Sequence, residues 1–319
     1  MLKIKGKSKI IIKNIIEFIK KIWHIPQGKI GLTIILFLFF IAIFAPIIAP
    51  YDPYDIEMRD YKGLAPSFKH LLGTTITTGQ DVFSMLVYGS RVSLMVGIIT
   101  GISIAILGTT VGIIAGYLGS TVDMIIMRAI DIMLVIPTLP LTIVITNVLG
   151  KSYFVIIFVL VIFGWQALAR VVRSQVLQLK NVDYVKAAQL SGAKSSYIMI
   201  KHIMPGVTHL IIMSTALTCA GVMLAEAGLS FLGIGNPTAI SWGKMLADAQ
   251  SGGSALFGQW WTIVAPGLGI FISVFGFMKI GYALEEVLNP RMNKQSDVKK
   301  MWKHMNGKYI EEVFEEMEQ

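Results

Sequence analysis

Long apolar runs separated by short polar stretches set the pattern of this chain. A membrane-spanning helix needs about 20 mostly apolar residues. Six windows meet or approach that length: Ile30–Pro50, Val92–Val122, Ile132–Gly150, Ser152–Ala169, Val207–Ala225 and Trp260–Met278. The pattern predicts an all-α membrane protein with six transmembrane helices. It divides the chain into a basic segment 1–29, a first span 30–50, a polar segment 51–91, a membrane domain 92–288 and a tail 289–319. Within the membrane domain the spans fall near 92–118, 132–150, 152–169, 207–225 and 260–278, and a polar loop occupies 170–206.

Composition agrees: 54% of residues are hydrophobic and only 15% are charged, against roughly 25% charged in a soluble domain. The net charge of +9 does not indicate nucleic acid, because the basic residues flank apolar runs and lack interleaved aromatics. They are placed as a membrane protein marks its cytoplasmic face. With both termini inside, 22 of the 28 Lys and Arg fall in 1–29, 119–131, 170–206 and 279–319. That bias predicts cytoplasmic N- and C-termini, a cytoplasmic 170–206 loop and an extracytoplasmic 51–91 segment.

The segment Lys9–Trp23 carries apolar residues at helical spacing with Lys on the remaining face. It reads as a basic interfacial helix that also contacts membrane lipid. A cleaved signal peptide is the rival reading, but its apolar core, Ile30–Ala49, is long for that role. Cys219 lies within an apolar run and reads as packing.

Gly97, Gly101, Gly108, Gly112 and Gly116 line the second span at spacings that let another helix approach closely. The third span contains Pro137 and Pro140. Each is expected to kink it, which marks either a pathway-lining helix or a structural bend.

The chain lacks an energy-coupling site of its own. A P-loop needs two Gly flanking four residues before Lys-Ser/Thr. Ile145 stands where Gly150-Lys151-Ser152 requires the first Gly. The five His are scattered, and His209 reads as a packed residue rather than a ligand. No ionisable residue is expected mid-span: Asp123, Arg128 and Asp131 fall at a polar turn and Glu226 at a span end. An ion-coupled secondary transporter, which places ionisable residues inside its helices and shows inverted repeats, is the competing class.

The loop 170–206 contains "YVKAAQLSGAKSSYIMIKHIMP", Tyr184–Pro205. Asn181 or Asp183 is placed to cap a helix, Gly192 to end it in a left-handed conformation, and Pro205 to bound a second helix before the fifth span. A short helix, a Gly turn and a second helix joined to a span can pass a partner's push into the membrane.

This stretch resembles the EAA loop of the inner-membrane permeases of ABC importers: Glu-Ala-Ala, three residues, Gly, then a distal Ile-x-Leu-Pro. Ala187, Ala188, Gly192 and Pro205 match, while Lys186 replaces the Glu, Met204 the Leu, and His202 stands at the Ile position. "KHIMP" resembles the "RHILP" of the peptide and nickel branch. His70–Gly97 resembles that branch's "H-x-LGTD-x-x-GRD-V" region, with Thr75 for the Asp, Gln80 for the Arg and Met85 for a second Arg. Ala225–Leu246 resembles "EAALSFLGLG…SWG-x-ML", and Ala283–Arg291 the closing "L-x-D-x-LDPR".

The resemblance covers about 28 to 291 and implies the transmembrane domain of a type I ABC importer. It implies a C-type permease subunit for di- or oligopeptides, with nickel or a metal chelate as the alternative cargo. The implied partners are a second permease, two cytoplasmic ATPase subunits that bind the ATP, and an extracytoplasmic substrate-binding protein. This chain would hold no cofactor or metal and have no catalytic residue. Lys186, Ala187, Ala188, Gly192, His202 and Pro205 become the ATPase-docking set, with Ala188 and Gly192 expected in the ATPase cleft. Pro137, Pro140 and Glu226 become candidates for the pathway or its gate. Glu226 has two open roles: contacting a cationic substrate terminus, or bonding the backbone N–H groups of the turn after it. The acidic, amphipathic tail "NGKYIEEVFEEMEQ" lies beyond the match and reads as a short exposed helix or a contact for a basic ATPase surface.

Overall fold

The computed structural model describes residues 17–54 and 61–288. The first half of the Lys9–Trp23 helix and the acidic tail lie outside these residues. The described part of that helix, 17–24, is helical, and its Ile22 is buried against Ala216, Ala283 and Leu284.

The fold is helical almost throughout. In order come α1 Pro26–Ile43, α2 Ala45–Ile48, α3 Val82–Leu118, α4 Ser120–Val135, α5 Thr138–Leu149, α6 Tyr153–Leu179, α7 Asp183–Leu190 and α8 Ser195–Ile198. A π-turn, Met199–Ile203, leads into α9 Met204–Phe231, followed by α10 Trp242–Ser251 and α11 Trp261–Leu288. Among the described residues five helices are long and apolar enough to cross a membrane, or six if α4 and α5 form one bent span. The expected first span is shorter than its window. α1 ends at Ile43 and α2 restarts at Ala45, because Pro46 lacks an N–H and crowds the turn before it.

Two ends can be distinguished by contact. Residues 61–81 form a small lobe over the starts of α3 and α11, where Trp261 Nε1 donates to Thr74 O at 3.3 Å. The opposite end carries residues 180–203, tied to the last turn of α3 by Lys180 Nζ donating to Tyr117 O at 2.7 Å. These are called the lobe side and the loop side.

α3 starts at Val82 rather than near 92, and its 37 residues span ~55 Å at 1.5 Å per residue. That exceeds a hydrocarbon core of ~30 Å, so its first turns belong to the lobe. Asp81 caps it: Oδ2 accepts from Ser84 N and Ser84 Oγ, both at 2.8 Å. Asp81 Oδ1 lies 3.0 Å from His70 Nδ1, and both side chains are buried. Tyr51 stacks on the His70 ring at 4.9 Å. The matched His70 and Asp81 of the sequence pattern thus form one bonded unit that seats the lobe on α3. Asp81→Ala is expected to cost about 1–2 kcal/mol for the lost cap and a further ~1–3 kcal/mol for the His70 ring left buried without its partner. The readout is a lower thermal midpoint of the purified chain, with Asp81→Asn falling between.

The glycines of α3 serve two neighbours. A Cβ on Gly97 or Gly101 would strike Met223 or Cys219 of α9. A Cβ on Gly108, Gly112 or Gly116 would meet Trp165 O, Ala169 O or Val176 Cβ of α6 at 2.8, 2.6 and 2.8 Å. Each i→i+4 step rotates the stripe by ~40° on a helix of 3.6 residues per turn, so it winds from α9 towards α6.

The third window is not a kinked helix with two Pro bends. α4 and α5 meet at one break of 85°, at Ile136-Pro137. Pro137 immediately precedes α5, and Pro140 lies in the first turn of α5, where its missing N–H has no intrahelical partner to lose. Two Arg of α6 hold α4: Arg173 Nε donates to Asp123 Oδ1 at 2.9 Å and Arg170 Nη2 to Asp131 Oδ1 at 2.7 Å. The latter pair is half-exposed and contributes little to stability.

Pro205 does not stop a helix. Ser195–Phe231 runs as one rod, with the π-turn Met199–Ile203 ending two residues before Pro205. Pro cannot donate to residue i−4 and its ring crowds that carbonyl. The wider turn over Lys201 makes room for it.

Candidate functional site

The loop-side element is built from the ends of α3, α6 and α9. Val185 is fully buried among Tyr117, Val176, Ile198, Ile203 and Val207. Gln189 Nε2 reaches Tyr117 Oη at 3.5 Å, and the Lys180 ammonium stands 5.6 Å from the Tyr117 ring centroid. A cation at the last carbonyls of α3 also suits the negative end of that helix. Neither expected cap forms. Val182 occupies the cap position of α7 without a side-chain bond, and Asn181 Nδ2 donates backwards to Leu177 O. Asp183 instead begins the helix, where its charge suits the positive end.

Gly192 ends α7 as its spacing predicts. Its φ is +74°, Gly192 N donates to Gln189 O at 3.0 Å, and Ala193 N donates to Ala188 O at 3.2 Å. This paired closure is the Schellman arrangement. Glycine alone takes that φ freely.

The structure separates the two alanines. Ala188 packs inward beside the Val185 cluster, three residues from Val185 and so on the same face of α7. Lys186, Ala187 and Gly192 face outward. His202 is half-buried, its ring 6.1 Å from that of Tyr184 and 5.7 Å from that of Tyr197, so it links α7 to the rod entering α9. Pro205 is exposed. Around this frame lie apolar side chains that sequence spacing did not single out: Leu190 is 89% exposed and Ile200 66%, and Tyr184 and Tyr197 are exposed too.

The candidate pathway residues are not brought together. Pro137 and Pro140 lie at the exposed α4–α5 elbow, beside a cavity of about 220 Å³ lined by Thr138, Thr142, Gly164, Thr218 and Gly221. Glu226 is not at the end of its helix but inside α9 and 0% exposed. Of the two roles open to it, the bonds to turn backbone are not formed. Glu226 Oε1 accepts from Ser230 Oγ at 2.7 Å, and Oε2 has no partner among the described residues. The following turn is closed differently, by Ile234 N donating to Leu229 O at 3.1 Å and by Lys151 Nζ donating to Gly233 O at 2.7 Å.

In the lobe, Thr75 and Gln80 stand where the resembling pattern carries an acid and a base. They remain in contact through neutral groups. Thr75 Oγ and Thr78 Oγ lie 2.8 Å apart, Thr78 Oγ donates to Gln80 Oε1 at 2.6 Å, and Gln80 N donates to Thr75 Oγ at 3.1 Å.

Comparison with known proteins places these features in context. Residues 108–294 match the family model described as binding-protein-dependent transport system inner membrane component. Residues 26–66 match the N-terminal TM domain of oligopeptide transport permease C. The chain is 38% identical over 268 residues to an oligopeptide transport system permease protein of Bacillus subtilis, covering 84% of this chain and 86% of the relative. It is 36% identical over 265 residues to a dipeptide transport system permease protein of the same organism, covering 83% and 82%. A di/tripeptide transport system permease protein of Pseudomonas aeruginosa is 33% identical over 283 residues, covering 86% of this chain and 92% of the relative.

Proposed function

The chain belongs to the family of binding-protein-dependent transport system inner membrane components, multi-pass membrane permeases, and on that premise we propose that it forms half of the translocation pathway of an ATP-driven peptide importer. The other half is a second, homologous permease. Two cytoplasmic ATPase subunits bind and hydrolyse the ATP, and an extracytoplasmic binding protein delivers the peptide to the lobe side. The chain itself hydrolyses nothing. The Lys and Arg distribution supports a cytoplasmic loop side and cytoplasmic termini.

The observation that carries this reading is the loop-side element. α7 is closed by Gly192, seated by Val185 on the ends of three long helices, and presents Tyr184 and Leu190 outward, with Ile200 exposed on the π-turn. A rigid element of this form transmits a displacement instead of absorbing it. Alternating access then requires two packings of the bundle, each favoured by a different nucleotide state of the ATPases. Ala187 and Gly192 contribute to the docking surface, Ala188 and His202 hold its shape, and Lys186 offers the ATPase a base. The α4–α5 elbow lines the pathway, since its apolar side chains are left uncovered by the rest of the chain.

Labelled di- and tetrapeptides, tested against nickel in cells lacking this chain, check the cargo. Peptide uptake is expected to fall to background with nickel uptake unchanged. Loss of nickel uptake alone would make the system a metal importer.

Glu226 braces α9 and contacts no substrate. Glu226→Gln is therefore expected to hold peptide KM and uptake rate within about twofold, while Glu226→Leu, which leaves Ser230 and its neighbours without the acceptor, costs ~1–3 kcal/mol of stability. A KM raised tenfold by Glu226→Gln would restore the substrate role.

A further inference from the structure

On the lobe side, α1–α2, α3 and α11 leave a cleft of about 520 Å³ between them. Phe37 and Phe40 of α1 form one wall, Leu86 of α3 the floor, and Leu268 and Ile272 of α11 the other wall. The contributing turns belong to the lobe-side ends of three long apolar helices, where the first turns of α3 carry the lobe and the apolar turns of α1 and α11 face the leaflet on that side.

The polar side-chain groups of its interior are already bonded within the protein. Ser90 Oγ donates to Val87 O at 2.6 Å, Trp242 Nε1 to Leu86 O at 2.9 Å, and Trp261 Nε1 to Thr74 O at 3.3 Å. Of the lining indoles only Trp260, at the mouth, keeps its N–H outside these bonds, so the interior offers no polar group to orient a peptide, as a site for a polar molecule would. Contact in the interior of the cleft is apolar.

The mouth adds an independent observation. A second cavity, of about 430 Å³, adjoins at Trp260 and Val264 and runs beneath the loop between α10 and α11. That loop carries Leu256 at 89% and Phe257 at 69% exposure, next to an exposed Trp260. Apolar side chains beside a Trp at a helix start are the composition of a segment lying in the membrane–water interface. The route from that loop into the cleft therefore starts among lipid headgroups.

We propose that this cleft is a binding site for a phospholipid acyl chain drawn from the leaflet on the lobe side, with the Leu256–Trp260 loop at its entrance. A bound chain would fill the wedge between α1 and the α3–α11 pair, and so couple the packing of the first span to the lipid around it.

The test uses the chain assembled with its partner subunits in bilayers containing a phosphatidylglycerol that bears a photoreactive diazirine on one acyl chain. After irradiation, labelled residues are mapped by mass spectrometry. Labels are expected to concentrate on Phe40, Leu86 and Leu268, in excess over the more exposed apolar side chains Ile106 and Phe154. Leu268→Trp, and separately Val264→Trp, project bulk into open space and are expected to lower cleft labelling about tenfold, the loss produced by displacing about two methylene groups from apolar contact. The proposal is overturned if labels simply follow exposed area. It is equally overturned if the cleft labels only when the second permease is omitted, since a partner helix would then occupy it. Should one Trp variant fail to assemble, the other decides, and undiminished cleft labelling in an assembled variant counts against the site.

Discussion

Leu190→Asp is expected to cut ATP-driven peptide uptake at least about tenfold while leaving the thermal midpoint of the chain unchanged. The side chain is 89% exposed at the end of α7, so its replacement removes no internal packing. If the ATPase covers this surface, the Asp must be desolvated without a partner, which is costly. The ATPase subunits should then co-purify poorly with the variant. Ala188→Leu should behave differently. It crowds the Val185 cluster from within, so it should lower stability and uptake together. The contrast separates a docking surface from the frame that holds it. Full uptake by Leu190→Asp would remove α7 from the ATPase interface.

Gly112→Leu should carry the largest stability penalty, about 3 kcal/mol or more, because overpacking here meets backbone that cannot rotate aside. A Cβ at this position would lie 2.6 Å from Ala169 O and 2.9 Å from Val172 Cβ. α3 and α6 form the most extensive helix pair in the fold, so forcing them apart also disturbs the base on which the loop-side element rests. The gain in helix propensity on replacing Gly, at most ~1 kcal/mol, does not compensate. Gly228→Ala is the control: nothing lies within 4 Å of its would-be Cβ, and its thermal midpoint should equal or slightly exceed that of the parent. A thermal melt of the purified variants in detergent reads both. Equal midpoints for Gly112→Leu and Gly228→Ala would mean that α3 and α6 are not packed this closely.

The features legible from sequence were those with a short-range physical cause. Gly192 could be placed because a helix end in a left-handed conformation excludes almost every other residue. The α3 glycines announced a close approach by their spacing, though not that the stripe would wind from one neighbour to another. Helix ends were less legible. An apolar window reads where the bilayer is, whereas α3 and α6 continue beyond their windows to Asp81 and Leu179, where polar residues are no obstacle. The two prolines of the third window were each expected to kink it, but Pro140 falls in a first turn that needs no N–H from it.

The docking set was legible as a segment and not as a surface. Adjacent alanines in a motif look equivalent, yet the i, i+3 relation of Val185 to Ala188 turns one inward and leaves the other outward. Leu190 was not singled out, because exposure at a helix end depends on what the next turn of chain covers. Glu226 was misplaced for a related reason: α9 runs past the apolar window to Phe231, which draws the carboxyl into the bundle. His70 and Asp81 were visible as matched positions, but only their shared burial against Tyr51 gives the match a physical reason.

The central claim is that this chain conducts peptides and takes its driving force from ATP hydrolysed by other subunits through the loop-side element. Peptide accumulation in proteoliposomes containing the chain, its partner permease, the two ATPases and the binding protein tests it most directly. Uptake of a labelled peptide should require ATP on the loop side, continue when proton and sodium gradients are collapsed, and vanish when this chain is omitted. Accumulation driven by an ion gradient without ATP would contradict the account.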